Sequence, residues 1–215
     1  QVLDEDPDFT EGDLDVIRGE MLAIRALCHF YLVRTFRDIP LLDYAVIDDD
    51  QNLYQPQVSP REALDFILSD LYEAENLVMA SGKYPVLSEN KGRMTKDAVR
   101  AIIADALLWR AAFEQYAAQG GTADVAEYYT KCAEYCDMII NDRNAYVKEY
   151  EEENRITSIG KKDDKYPLEH HPLTNAGNTG ILDNPYSQIS GRPNNVRESI
   201  FEIQHSSSAD NANYE

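Results

Sequence analysis

Residues 13–40 read DLDVIRGEMLAIRALCHFYLVRTFRDIP. Leu14, Ile17, Met21, Ile24, Cys28 and Tyr31 recur at steps of three and four, the period of one helix face. Ala23, Ala26, Phe30 and Val33 supply a second apolar stripe, so the spacing predicts a helix packed on two sides. Pro40 stops it, because its ring biases Ile39 away from helical backbone. The preceding residues 1–12 are acidic and aperiodic, a lead-in.

Three more helices follow. Ser59-Pro60-Arg61-Glu62 is a helix start: Ser59 can cap, Pro60 suits the first helical position and Glu62 completes a capping box. The stripe Leu64, Ile67, Leu68, Leu71, Ala74 and Val78 runs on to Ser81-Gly82. A third helix begins after Thr95, carries Val99, Ile102, Ile103, Ala106, Leu107, Trp109 and Phe113, and stops at Gly120-Gly121. A fourth spans about Asp124 to Ile140. Short loops between amphipathic helices imply antiparallel neighbours. The helix starts near 59, 95 and 123 come close to tetratricopeptide spacing without a strict repeat. The expected fold is therefore mainly α, with tetratricopeptide-like stacked helical hairpins over residues 1–150. Residues 151–215 read as an irregular, loop-rich segment, incomplete at its C-terminal end, with only Ser199 to Gln204 extended.

Composition excludes some partners. The 215 residues hold 20 Lys plus Arg against 39 Asp plus Glu, a net charge of −19 with the four His neutral. Nucleic acid and anionic lipid headgroups both need a basic footprint, which this chain lacks. Three cysteines make no disulfide framework. Cys132 and Cys136, four apart on one helix face, read as small core residues. The sequence has no apolar run near the roughly 18 residues that span a bilayer.

Residues 19–42 resemble the signature of SusD/RagB proteins, the surface glycan-binding lipoproteins of starch-utilisation-type systems. Gly19, Glu20, Arg25, Ala26, Phe30, Leu32, Val33, Arg34, Phe36, Asp38 and Pro40 keep the pattern, while Arg37 stands where that family usually has glycine. Further blocks follow in order: Asp65-Phe66-Ile67 with Asp70-Leu71, Gly92 to Val99, Tyr129 to Ile140, and Glu198 to Gln204. The resemblance implies tetratricopeptide-like helix pairs supporting a ligand-binding part, in a protein about twice this length or more. It further implies non-catalytic glycan binding at the outer-membrane surface, a lipid anchor on a residue upstream of Gln1, and delivery to a SusC-like TonB-dependent transporter barrel. Alternatives are a tetratricopeptide-type interaction scaffold, or a relative that binds peptides.

Sugar recognition needs flat aromatic faces ringed by amides and carboxylates. Trp109 and the helical Tyr128, Tyr129 and Tyr135 read as packing residues. The tyrosines of irregular segments are the ligand candidates: Tyr166, Tyr186 and Tyr214, with Asn194 and Asn195 beside them and Tyr44 and Tyr54 behind. Among the motif residues Gly19, Glu20, Arg25, Arg34, Asp38 and Pro40, the two arginines are expected to pair with carboxylates such as Glu20 or Asp38. Glu169-His170-His171 lacks a second ligand pair, and Asp48-Asp49-Asp50 lacks the glycine and distal Glu of a calcium loop. No metal, cofactor or catalytic constellation is expected.

Overall fold

The computed structural model describes residues 12–46, 48, 50–51, 54–85, 89–116, 125–153 and 200–201. In chain order these form α1 (Asp13–Phe36), β1 (Ile39–Pro40), β2 (Gln57–Val58), α2 (Pro60–Leu77), the single-turn α3 (Glu89–Gly92), α4 (Lys96–Gln115) and α5 (Val125–Glu153). The protein is mainly α, as its periodicity predicts. Compact packing divides it into two units, residues 1–78 with 99–137, and residues 79–98 with 138–215.

Local chemistry sets the ends of α2. Ser59 takes extended backbone and its hydroxyl accepts from the Glu62 amide at 3.3 Å, with Pro60 in the first turn. Within the first unit, α1 and α2 run antiparallel: Arg18 meets Glu73, Arg25 meets Asp70 and His29 meets Phe66. In the same way Glu75 of α2 meets Arg100 of α4 while Asp65 meets Arg110, so that pair is also antiparallel. Leu64, Ile67, Leu71 and Ala74 fill the layer between, against Ala23, Ala26, Phe30 and Val33 of α1 and Val99, Ile103 and Leu107 of α4, all buried. β1 and β2 pair antiparallel, Ile39 opposite Val58, and close the neck of the loop between them.

The second unit is pinned by polar contacts. The Asn90 side chain accepts from the Tyr84 amide and donates to the Tyr84 carbonyl, and Arg93 lies over the Tyr84 ring. The buried Thr95 accepts a hydrogen bond from Ser81, and the Lys96 amide bonds the Met79 carbonyl.

Four expectations need correction. The first helix is covered on one side only: Met21, Ile24 and Tyr31 are 61%, 44% and 57% exposed. α5 continues to Glu153 rather than ending near Ile140. Past Ile140 the apolar period fades, but there is no Gly or Pro to break the backbone ladder, and Arg143 is buried one turn after the buried Ile139. α4 closes at Gln115, ahead of Gly120-Gly121, which lie outside the described residues. Of the two α5 cysteines only Cys132 is buried. Burial, then the nearby Cys136, pushes the Cys132 thiol up. The lead-in and the irregular segment up to Ser199 also lie outside the described residues.

Two backbone positions explain motif residues. Gly19 sits inside α1 where a Cβ would stand 2.7 Å from the Leu77 Cβ and 3.1 Å from the Val78 amide. Its missing side chain is what lets the helices approach. Arg37 ends α1 at φ 68°, ψ −75°, and the Asp38 amide bonds the Phe36 carbonyl at 3.0 Å. That is a γ-turn with positive φ, a strained one for a residue with a side chain. Glycine, which the resemblance expects here, would adopt it freely.

Opposite stability changes follow, readable by urea denaturation. Gly19→Ala should destabilise by about 1–3 kcal/mol through overpacking, despite alanine's better helix propensity. Arg37→Gly should stabilise by about 1 kcal/mol, since strain relief of about 1–3 kcal/mol exceeds glycine's entropic cost of about 0.5–1 kcal/mol. A midpoint that stays put or falls for Arg37→Gly would remove the strain account.

Candidate functional site

The motif residues of α1 build a brace. Arg25 donates from Nε and one Nη to the two oxygens of Asp70 at 2.8 and 2.7 Å, and from its other Nη to the Asp43 carbonyl at 3.0 Å. Its guanidinium also lies 5.1 Å from the centre of the Phe66 ring. The Asp70 bonds raise the Arg25 pKa against the opposing effect of burial. His29, one turn on, donates from Nδ1 to the Arg25 carbonyl and meets Phe66 edge-on. Arg34 lies within 6 Å of the Phe30, Tyr31 and Trp109 rings and pairs with Asp105 at 3.6 Å.

The arginine partners are thus Asp70 and Asp105, and not Glu20 or Asp38. Glu20 precedes Arg25 by five residues, which is not a facing spacing on a helix. Asp38 lies beyond the γ-turn and has Arg37 at 3.9 Å. A sequence signal for Asp70 exists: it stands on the stripe of Ile67, Leu71 and Ala74, where a buried charge demands a partner.

Comparable clusters tie α2, α4 and α5. Arg110 donates to Asp65 at 2.7 Å and to the buried Glu114 at 2.6 Å, with Arg61 at 3.5 Å from Glu114. Burial lowers the Arg110 pKa, but the bonds from both carboxylates outweigh it and the net shift is upward. Arg100 bonds Glu75 at 2.7 Å, and Tyr135 donates to the other Glu75 oxygen while stacking on Tyr72. Burial first, then the Glu75 charge, holds the Tyr135 hydroxyl well above its ordinary value. Trp109 is half-buried between Phe30 and Phe113, in keeping with a packing role.

Of the ligand candidates, Tyr166, Tyr186, Asn194, Asn195 and Tyr214 lie outside the described residues, as does Glu169-His170-His171. Tyr44 and Tyr54 are described, on the loop between β1 and β2. Tyr54 is 93% exposed. Tyr44 is partly exposed, and its hydroxyl accepts from the Gln55 amide at 2.9 Å. The Gln51 amide bridges the Ala45 carbonyl and the Asp48 backbone N–H. On this loop the Tyr44 ring thus has the Gln55 side-chain amide beside its hydroxyl. No local sequence pattern singles out Gln55, because its partner lies eleven positions away. Among the described residues no group of three His, Cys, Asp or Glu could hold a metal ion, and no helix is long and apolar enough to cross a membrane.

No protein-family profile matches the chain. A curated SusD-like protein of Formosa agariphila is 37% identical over 67 residues, which are 31% of this chain and 13% of that protein. A SusD-like protein of Bacteroides fragilis, known from a crystal structure, is similar with 27% identity and a TM-score of 0.46, over 60% of this chain and 22% of that one.

The brace yields a ranked prediction for chemical denaturation. Arg25→Ala should cost on the order of 3 kcal/mol, because Asp70, 8% exposed, is left buried and charged. Arg25→Lys should recover only part, lacking the two parallel bonds. Arg18→Ala should cost less than about 1 kcal/mol, since Arg18 and Glu73 are both solvated. Equal costs at Arg18 and Arg25 would refute the brace.

Proposed function

Over the part that its relative matches, this chain is SusD-like, and on that premise we propose that the protein binds glycans at the cell surface without cleaving them. It hands them to a SusC-like TonB-dependent transporter barrel in the outer membrane, to which it is held by a lipid anchor outside these residues. The observation that carries the reading is the match to the Formosa protein, 37% identical over 67 residues. The helices of residues 1–150 serve as the support. Residues 151–215 belong to the ligand-binding part, where Tyr166, Tyr186, Asn194, Asn195 and Tyr214 are the proposed contacts. The exposed Tyr54 and the Tyr44–Gln55 pair add a second surface of the same chemical kind. An acidic exterior of net charge −19 keeps such a protein solvated and apart from anionic lipid.

Calorimetric titration against a panel of neutral and acidic oligosaccharides and peptides tests this, with reducing-end release measured in parallel. Binding of at least one saccharide without release of reducing ends is expected. Tyr→Ala at a stacking position should weaken binding about tenfold, ~1.4 kcal/mol. Binding of peptides alone would move the ligand class. Retention of the barrel with no small ligand bound would favour a tetratricopeptide-type scaffold.

A further inference from the structure

Cys132 and Cys136 stand one turn apart on α5, outside the cross-helix pairs and the proposed saccharide contacts. Side chains four positions apart on a helix lie one above the other on the same face. Here the Cys136 thiol is within hydrogen-bonding reach of the Cys132 thiol. Their surroundings differ: Cys132 is 8% exposed, while Cys136 opens to solvent. The pair is a dithiol with a dry inner sulfur and an accessible outer one. Asp105 of α4 adds a negative charge that acts on Cys132.

Two kinds of bridge compete for such a pair. A disulfide needs Cβ atoms about 3.5–4.5 Å apart. The helix holds residues four apart with their Cβ atoms about 5–6 Å from one another. Closing that gap would require the backbone to move, and α5 runs unbroken through both residues. A bridging ion needs more room. Two metal–sulfur bonds of about 2.3 Å set end to end place the sulfurs about 4.6 Å apart, a span the helical spacing accommodates. The turn that opposes the disulfide therefore suits a linear sulfur–metal–sulfur bridge.

We propose that Cys132 and Cys136 form a two-thiolate site for a soft monovalent cation, Cu(I) above all. Thiolate ligands select this ion, which zinc's preferences do not match. Structural zinc sites close with four ligands, and among the described residues no group of three His, Cys, Asp or Glu could hold a metal ion. The net charge of −19 draws cations toward the surface on which Cys136 opens. On binding, each thiol releases one proton to the buffer and two sulfur–copper bonds form. The copper enters and stays as Cu(I), so no electron moves. The site is independent of any saccharide contact.

Titration of the complete protein, reduced and kept under argon, with Cu(I) against the competing chelator bathocuproine disulfonate tests the site. Cys136→Ser, an exposed change that spares the core, should weaken Cu(I) binding at least hundredfold. Cys28→Ser on α1 should leave it within threefold. Cys136→Ser combined with Asp137→Cys keeps two thiols on α5 but turns one off the shared face. That double variant should bind as weakly as Cys136→Ser alone. Binding within threefold of the unaltered protein in Cys136→Ser, or full recovery in the double variant, would overturn the proposal. So would a Cys132–Cys136 disulfide found by peptide mass spectrometry in air-equilibrated protein, since the helical spacing would then not keep the two thiols apart.

Discussion

The two parallel bonds from Arg25 to Asp70 join helices whose contact is otherwise mostly of small and apolar side chains, with the solvated Arg18–Glu73 pair and the His29–Phe66 ring contact beside them. Apolar packing alone is non-directional and would tolerate one helix sliding a turn along the other. A buried carboxylate does not tolerate it, because any other register leaves Asp70 uncompensated. With that register set, Gly19 falls opposite Leu77 and Val78, where only a hydrogen fits in place of a side chain. The same register lets Arg25 reach the Asp43 carbonyl and so anchors the start of the loop that carries Tyr44 and Tyr54.

Charge is distributed to match. Arginine is scarce against so large an acidic excess, and several arginines are spent on cross-helix pairs: Arg25 with Asp70, Arg34 with Asp105, Arg100 with Glu75, Arg110 with Asp65. The planar guanidinium can bond a carboxylate while lying on an aromatic face, as Arg25 does on Phe66 and Arg110 on Tyr128. Lysine would offer only a point charge in these positions.

Much of the helical framework is legible from sequence because it rests on neighbours three or four residues apart. The Ser59 cap, the Pro60 start and the buried stripe of α2 appear as the periodicity predicts. The far end of α5 is less legible: its helical course past Ile140 rests on backbone propensity without a clear apolar period. Cys136 shares a helical face with Cys132, yet one residue is exposed and the other buried, since the neighbouring helix covers only part of that face. The ligand candidates after Tyr150 come from residue chemistry in irregular segments, where no period links a side chain to a direction.

What the sequence determined by itself is the set of elements: which residues form helices, where α2 begins, which stripes are apolar, and which motif marks the SusD-like resemblance. These are local properties, set by backbone bonds and side-chain spacing within a turn or two. Only the tertiary structure decided that Arg25 pairs with Asp70 and not Glu20, that Arg34 meets Asp105, and that α1 buries one of its two apolar stripes. Those outcomes depend on helices 45 or more residues apart meeting in one register. A stripe records that a face can be buried. Whether it is buried depends on which element arrives to cover it.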